Sequence, residues 1–340
     1  MKKYIILIAI AAVAMACSKT ENPGVKDYSN VKVNLSVSMP GTLTKTNFTP
    51  IDPANPIGGM TVTWAENDKL TLIVFQGDNA DWASKYVYKE ILLPATAEGK
   101  TTLDVSSLGT SLDLSGFDDS KNLKFVVVMG PSFNDYWKEF NIWNGTLYME
   151  PGLTMKEQIN HCQMIAETDV QEIPFPGVGN PITLSGKLHW MSSVLAVQFD
   201  VDAAADITYP AGSFLIMDFT GSQYVDNYKP ITKLSGSYAS STSRNFSFSS
   251  AGKLSDALDA NKFRYWTIPA DNMTVTPEQK MGGSSISFRR WKSGESDIHY
   301  TSSISIGDIV IEPGKVYGMK IKVTDSDSDG NPEFTKVVVP

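Results

Sequence analysis

"VKVNLSVSM", residues 31–39, is the stretch on which the fold turns. Val31, Val33, Leu35, Val37 and Met39 alternate with Lys32, Asn34, Ser36 and Ser38. Side chains of an extended chain point to opposite faces in turn, so a spacing of two builds a strand with one buried face and one wet face. The same grammar continues outward. "PGTLTKTNFTPIDPANPIGG" (40–59) holds four prolines and three glycines and predicts a long loop. Strands resume at "MTVTW" (60–64) and "KLTLIVF" (69–75), joined by Ala65-Glu66-Asn67-Asp68. Further β-like runs fall at 86–93, 124–129, 139–149, 183–201, 213–219, 245–249, 263–268, 284–291, 298–306, 315–324 and 334–339. Helical periodicity is confined to Leu153–Gln163 and Ser255–Asn261, each long enough for one short helix. Many short strands separated by turn residues predict an all-β fold of sandwiches or barrels.

One hairpin is legible residue by residue. In "EFNIWNGTLYM" (139–149) the Asn144-Gly145 turn pairs Trp143 with Thr146, Ile142 with Leu147, Asn141 with Tyr148 and Phe140 with Met149. Phe140, Ile142, Leu147 and Met149 then form a core face. Trp143 and Tyr148 lie on the mixed face, either as a platform for a sugar or partner or as a surface covered by neighbouring loops. The Pro/Gly-rich "QEIPFPGVGNP" (171–181) is the natural division between an N-terminal unit, 31–175, and a C-terminal unit, 176–340.

The N-terminus carries its own signals. Lys2 and Lys3 precede an unbroken apolar run, Tyr4 to Ala16, too short to span a bilayer but of the length of a secretory signal. Ala14-Met15-Ala16 offers small residues for cleavage, and Cys17 stands at the first mature position. That predicts a signal peptide over 1–16, lipidation of the Cys17 thiol with attachment to the membrane, and a polar tether over 17–30. Cys162 is then the one remaining thiol, so no intramolecular disulfide can form.

Composition narrows the function. Hydrophobic residues make up 42% and charged residues 19% of the 340, enough for packed cores. The net charge is −8 with no basic cluster, which excludes the electrostatic footprint of nucleic-acid binding. Catalytic chemistry has little to work with: His161, His189 and His299 are the only histidines, and no metalloprotease, nucleophile-elbow, phosphate-loop or dinucleotide motif occurs. His161 and Cys162 are sequence neighbours, whose side chains diverge on a strand or a helix. His189 lies in an apolar strand run and reads as a packed structural histidine. Asp325, Asp327, Asp329 and Gly330 match the first positions of a calcium loop, but Lys336 stands where the bidentate acid belongs. A solvated turn is the expected state there, with no metal, no cofactor and no enzymatic activity.

Four stretches, in order along the chain, resemble the fimbrillins and fimbrillin-like (Mfa-like) lipoproteins of type V pili. They are the lipoprotein start with its tether and isolated strand at 31–39; "TVTWAENDKLTLIVF" (61–75), similar to the family's Trp-x-x-x-Asp-Lys strand turn; "HCQMIAETDV" to "ITLSGKLHWMSSVLAVQFDV" (161–201); and the Pro-Gly-Lys-x-Tyr strand in "VIEPGKVYGMKIKVT" (310–324). The resemblance implies two tandem transthyretin-like β-sandwich domains, export to the outer membrane and cell surface, and assembly with other pilus subunits. In that family a basic-specific protease removes the first strand, and a C-terminal strand of the next subunit fills the groove. Carried onto this chain, the displaced face is Val31, Val33, Leu35, Val37 and Met39. The maturation site is Lys45, the only basic residue of 40–59, and the donor face is Tyr317, Met319, Ile321 and Val323, with 334–339 a less regular alternative. The chain departs from the pattern in having no arginine before Arg244, so an arginine-specific trim at the first strand is excluded; the subunit is either cut at lysine or stays uncut as a lipid-anchored base or accessory component. The alternative expectation is a surface lipoprotein that binds glycans on a β-sandwich.

Overall fold

The computed structural model describes residues 26–39, 49–50, 60–61, 64, 66–141, 165–225, 227–232, 238–258, 263–269, 285–296, 298–299, 304–305 and 312–337. The signal peptide, Cys17, Lys45, the Asn144-Gly145 turn with Trp143 and Tyr148, the 153–163 helix, His161 and Cys162 lie outside the described residues. The longer strands are β1 Val31–Ser38, β2 Lys69–Phe75, β3 Tyr86–Leu92, β4 Thr102–Asp104, β5 Leu123–Met129, β6 Ala166–Thr168, β7 Ile182–Trp190, β8 Ser192–Val201, β9 Ser213–Val225, β10 Tyr238–Ser247, β11 Phe263–Pro269, β12 Ser285–Lys292, β13 Val316–Thr324 and β14 Glu333–Val337. The fold is all-β, with a short helix at Leu254–Leu258 where 255–261 was expected to hold one.

The N-terminal strands form one sheet in the order β3-β2-β5-β6-β7-β1-β4, with Gln171–Ile173 added to β5 and Ser111–Leu112 to β1. The sheet closes over its own core because β7 changes partners along its length. Residues 182–187 run parallel to β1, from Val33↔Ile182 to Ser38↔Lys187. Residues 188–190 run antiparallel to β6, from Thr168↔Leu188 to Ala166↔Trp190. Gly186 stands at the change: a Cβ there would lie 2.7 Å from Thr168 Cγ2. The alternating residues of β1 meet Leu70, Leu72 and Val74 of β2 and Phe125 and Val127 of β5 in one core. Ile73, Phe75, Val126 and Val128 point the other way into a second core with Trp82, Phe133, Phe140, Ile165 and Tyr228. Burial on both faces is why "KLTLIVF" and "LKFVVVM" are continuous apolar runs while β1 alternates.

The C-terminal strands form two sheets, β11-β8-β13-β14 and β10-β9-β12, the latter extended by the short pieces Ile298–His299 and Ile304–Ser305. Val197 and Phe199 of β8, Met319, Ile321 and Val323 of β13, Leu215 and Met217 of β9, Ile286 and Phe288 of β12, and Phe334 of β14 share a core. Phe288 stacks on Phe334 with ring centroids 3.9 Å apart.

The Pro/Gly-rich 171–181 stretch leads into β7, which pairs with β1 and β6. The run 183–201 is two strands, β7 and β8, parted at Met191. Period-two alternation fixes which face a residue takes but not which strand lies beside it.

Candidate functional site

The site to build is the slot that holds the first strand. Chain before β1 is already fastened: Lys26 pairs with Asp119, and the Tyr28 ring meets Phe175 edge to face at 4.9 Å. The Asp27 carboxylate accepts from Ser29 N (2.9 Å) and Oγ (2.7 Å), which holds it below the usual carboxylate range. β1 then enters between β7 on one side and β4 with Ser111–Leu112 on the other. Val33 N donates to Thr110 O, Met39 N to Thr101 O, and Leu35 O accepts from Val105 N, all at 2.8–2.9 Å. Leu35 and Val37 are fully buried, and Val31, Val33 and Met39 are buried. Each fully buried side chain of this size contributes about 1.5–3 kcal/mol, so the five together come to about 8–15 kcal/mol. That equals the whole stability of a typical domain. The slot cannot stand empty in a stable monomer.

The candidate donor face lies on β13. β13 is a central strand, parallel to β8 from Val194↔Val316 to Val201↔Val323 and antiparallel to β14. Met319, Ile321 and Val323 are core residues, and the half-buried Tyr317 accepts a hydrogen bond from Glu312 N through its hydroxyl, 2.7 Å. On the outer face Lys320 stands 3.4 Å from Asp200 of β8, and Lys322 stands 3.4 Å from Asp202, just past the end of β8. Tyr317, Met319, Ile321 and Val323 are thus committed to their own domain, with ladders on both edges. Among the described residues β14 is laddered along one edge only; its Phe334 is buried and its Val337 is 37% exposed. The apolar period of 315–324 recorded burial, and its partner on each side was invisible in the sequence.

Two contacts join the units at Met191. The Pro313-Gly314-Lys315 turn rests on Trp190: Gly314 has φ +72° and donates to Ser192 O at 2.9 Å, and a Cβ there would lie 2.6 Å from Trp190 Cδ1. Ser193 Oγ donates to Glu312 O. The second contact was missed from sequence. Asn227–Tyr228, from the C-terminal half, pairs with Glu139–Asn141 and covers the outer core of the N-terminal sheet. There the buried Glu167 accepts from the Tyr228 hydroxyl (2.5 Å) and Ile231 N (3.1 Å). Burial, with the Glu167 charge added, pushes the Tyr228 phenol well above its ordinary value. Ile231 holds φ +70°, a left-handed conformation rare for a β-branched residue, and its amide thereby reaches the carboxylate. Nothing in "IAETDV" distinguishes Glu167 from a surface acid.

Beside this contact a cavity of about 530 Å³ is lined by Asn79, Glu167, Asp169, His189, Met191 and Ile231, among others. His189 is half-exposed and lies 3.4 Å from Asp169, not packed in a core as expected; it alternates outward from Leu188 and Trp190. Asp325, Asp327 and Asp329 come within 4.8 Å of one another at an exposed turn. Their carboxylates accept backbone amides: Asp325 from Asp329 N and Gly330 N, and Asp329 from Asn331 N at 2.7 Å.

No protein-family model matches the chain, and no curated protein matches its sequence. Among solved structures it is similar to a proposed cell adhesion protein from Bacteroides fragilis, at 10% identity over 91% of this chain and 97% of that one, with a TM-score of 0.41. It is similar to a fimbrial assembly protein from Parabacteroides distasonis, at 11% identity over 90% and 95% of the two chains, TM-score 0.35. It is also similar to the fimbrial anchor protein Mfa2 from Porphyromonas gingivalis, at 10% identity over 90% and 95%, TM-score 0.35. At such identities no residue role passes from these proteins to this chain.

Proposed function

We propose that this chain is a cell-surface lipoprotein, anchored to the outer membrane through Cys17, that serves as a pilus subunit or fimbria-associated adhesin and has no catalytic role. On this reading its two units are tandem transthyretin-like sandwiches, and its partners are further subunits joined by strand exchange. The observation that carries it is the β1 slot: a first strand with five buried side chains, laddered on both edges, followed in sequence by a Pro/Gly-rich stretch, 40–59, with Lys45 as its only basic residue. A slot that needs on the order of 10 kcal/mol of burial to be filled selects another strand once its own is cut away. Main-chain ladder bonds supply affinity and alternate side chains supply register. A head-to-tail contact of this type does not close on itself, so it builds a filament.

The donor best placed for exchange is the β14 end. Its release breaks one ladder, whereas β13 would have to leave two and strip three core residues. The test is digestion of the purified mature chain with a lysine-specific protease, followed by size analysis. The expected result is loss of the segment ending at Lys45 and a ladder of oligomers. A stable monomer after that cut, or a Lys45→Ala variant that polymerises as well as the parent, overturns the reading.

A further inference from the structure

A short three-stranded sheet of Phe133–Asn134, Glu139–Asn141 and Asn227–Tyr228, packed on the outer core of the N-terminal sheet, carries an aromatic tip that neither the cores nor the strand slot uses. Phe133–Asn134 and Glu139–Asn141 pair antiparallel, and between them the chain turns through Asp135, Tyr136, Trp137 and Lys138. Tyr136 is 80% and Trp137 61% exposed, the most exposed large hydrophobic residues among those described. The two rings meet edge to face, centroids 4.8 Å apart and planes at 88°, forming an aromatic corner.

The corner is held in place from below. Asn134 Oδ1 accepts from the backbone N–H of Tyr136 (3.1 Å) and of Trp137 (3.2 Å). Lys138 closes the turn at φ +59°, pairs with Asp135 at 3.1 Å, and lies 4.7 Å over the Tyr86 ring, whose hydroxyl donates to Asp135. At the root, Phe133 contacts Trp82, Tyr88 and Phe140. Two large rings are therefore presented to solvent by a turn that loses little freedom on binding, which is the condition for using them as a contact.

Size and charge select the occupant. The open ring surface is about 300 Å² on the scale of 150–250 Å² per aromatic side chain, well below the roughly 800 Å² per partner of a stable protein interface. The rim is a mutually paired Asp135 and Lys138 with Asn134, which favours neither an anion nor a cation. A pyranose with equatorial hydroxyls fits: its C–H face lies on one ring, its edge meets the other, and its hydroxyls reach the polar rim. We propose that the Tyr136–Trp137 tip binds neutral β-linked glycans of this shape. The inference rests on the adhesin reading for its biological meaning, and its test is separate.

The purified mature chain is run in native gels containing hydroxyethyl cellulose or glycol chitin, and titrated with cellohexaose and N-acetylchitohexaose by tryptophan fluorescence. Retarded migration is expected, with Trp137→Ala weakening binding about tenfold or more and Trp137→Phe retaining part of it. Melting temperatures should not move, because both rings stand outside the cores. No retardation with either polymer overturns the proposal, as does a Tyr136→Ala/Trp137→Ala double variant that binds like the parent. Absence of sugar binding together with loss of self-association in Trp137→Ala assigns the tip to a protein contact and also overturns it. Sugar binding in a chain that never polymerises counts against strand exchange and leaves the tip standing; filaments without sugar binding do the reverse.

Discussion

Replacing Tyr228 by Phe removes one oxygen from the contact that ties the C-terminal half to the N-terminal sheet. The ring keeps its place in the outer core, so the change isolates the 2.5 Å hydrogen bond to Glu167. A hydrogen bond to a charged, buried acceptor is worth about 1.5–3 kcal/mol, and its loss leaves a desolvated carboxylate short of its closest donor. For units of this size that lowers the melting temperature by about 3–12 °C. The pH dependence gives a second reading. The folded-state phenol lies well above its ordinary value of 10.0, so its contribution is complete below about pH 10 and is lost as pH rises from there toward the folded-state value. Tyr228→Phe should therefore lower stability at neutral pH and flatten the decline above pH 10. Urea unfolding at pH 7 and at several alkaline values, followed by tryptophan fluorescence, measures both. A variant as stable as the parent at pH 7, or one with an unchanged alkaline decline, refutes the role given to this contact.

Gly314→Ala places a methyl 2.6 Å from Trp190 Cδ1 in a left-handed turn; conformational strain and overpacking together should cost about 2–4 kcal/mol, read as a lower urea midpoint at unchanged slope. Cys17→Ser should move the protein from membranes to a soluble fraction or leave it unprocessed, because each buried methylene of a lipid contributes about 0.8 kcal/mol to retention. Recovery of that variant in membranes at the normal mature mass would rule out lipid anchoring.

Strand exchange and glycan binding, as proposed, use opposite qualities of the same unit. The slot depends on β1 being locally coherent yet separable, since it is one continuous segment followed by the Pro/Gly-rich stretch 40–59. The aromatic tip depends on a turn that does not move. The structure places them on different sheets, β1 between β7 and β4 in the N-terminal sheet, and the tip on the three-stranded sheet of Phe133–Asn134, Glu139–Asn141 and Asn227–Tyr228. A subunit could then exchange its first strand without disturbing its binding surface.

The sequence by itself determined that this chain is built of strands, and for β1 it determined which residues are buried. A period of two is a local property: neighbouring side chains must point apart, so Val31, Val33, Leu35, Val37 and Met39 share a face whatever lies against them. Turn residues at Asn67 and Gly314 were legible for the same reason, since a positive φ is a demand on one residue. Partnership is not local. That β7 leaves β1 for β6 after Lys187, that β13 is laddered on both edges, and that Glu167 meets Tyr228 and Ile231 across 61 and 64 residues were decided only by tertiary structure. Ladder bonds join main-chain groups that every residue carries, so they leave no mark in the sequence. A buried carboxylate is tolerated only where distant donors converge on it.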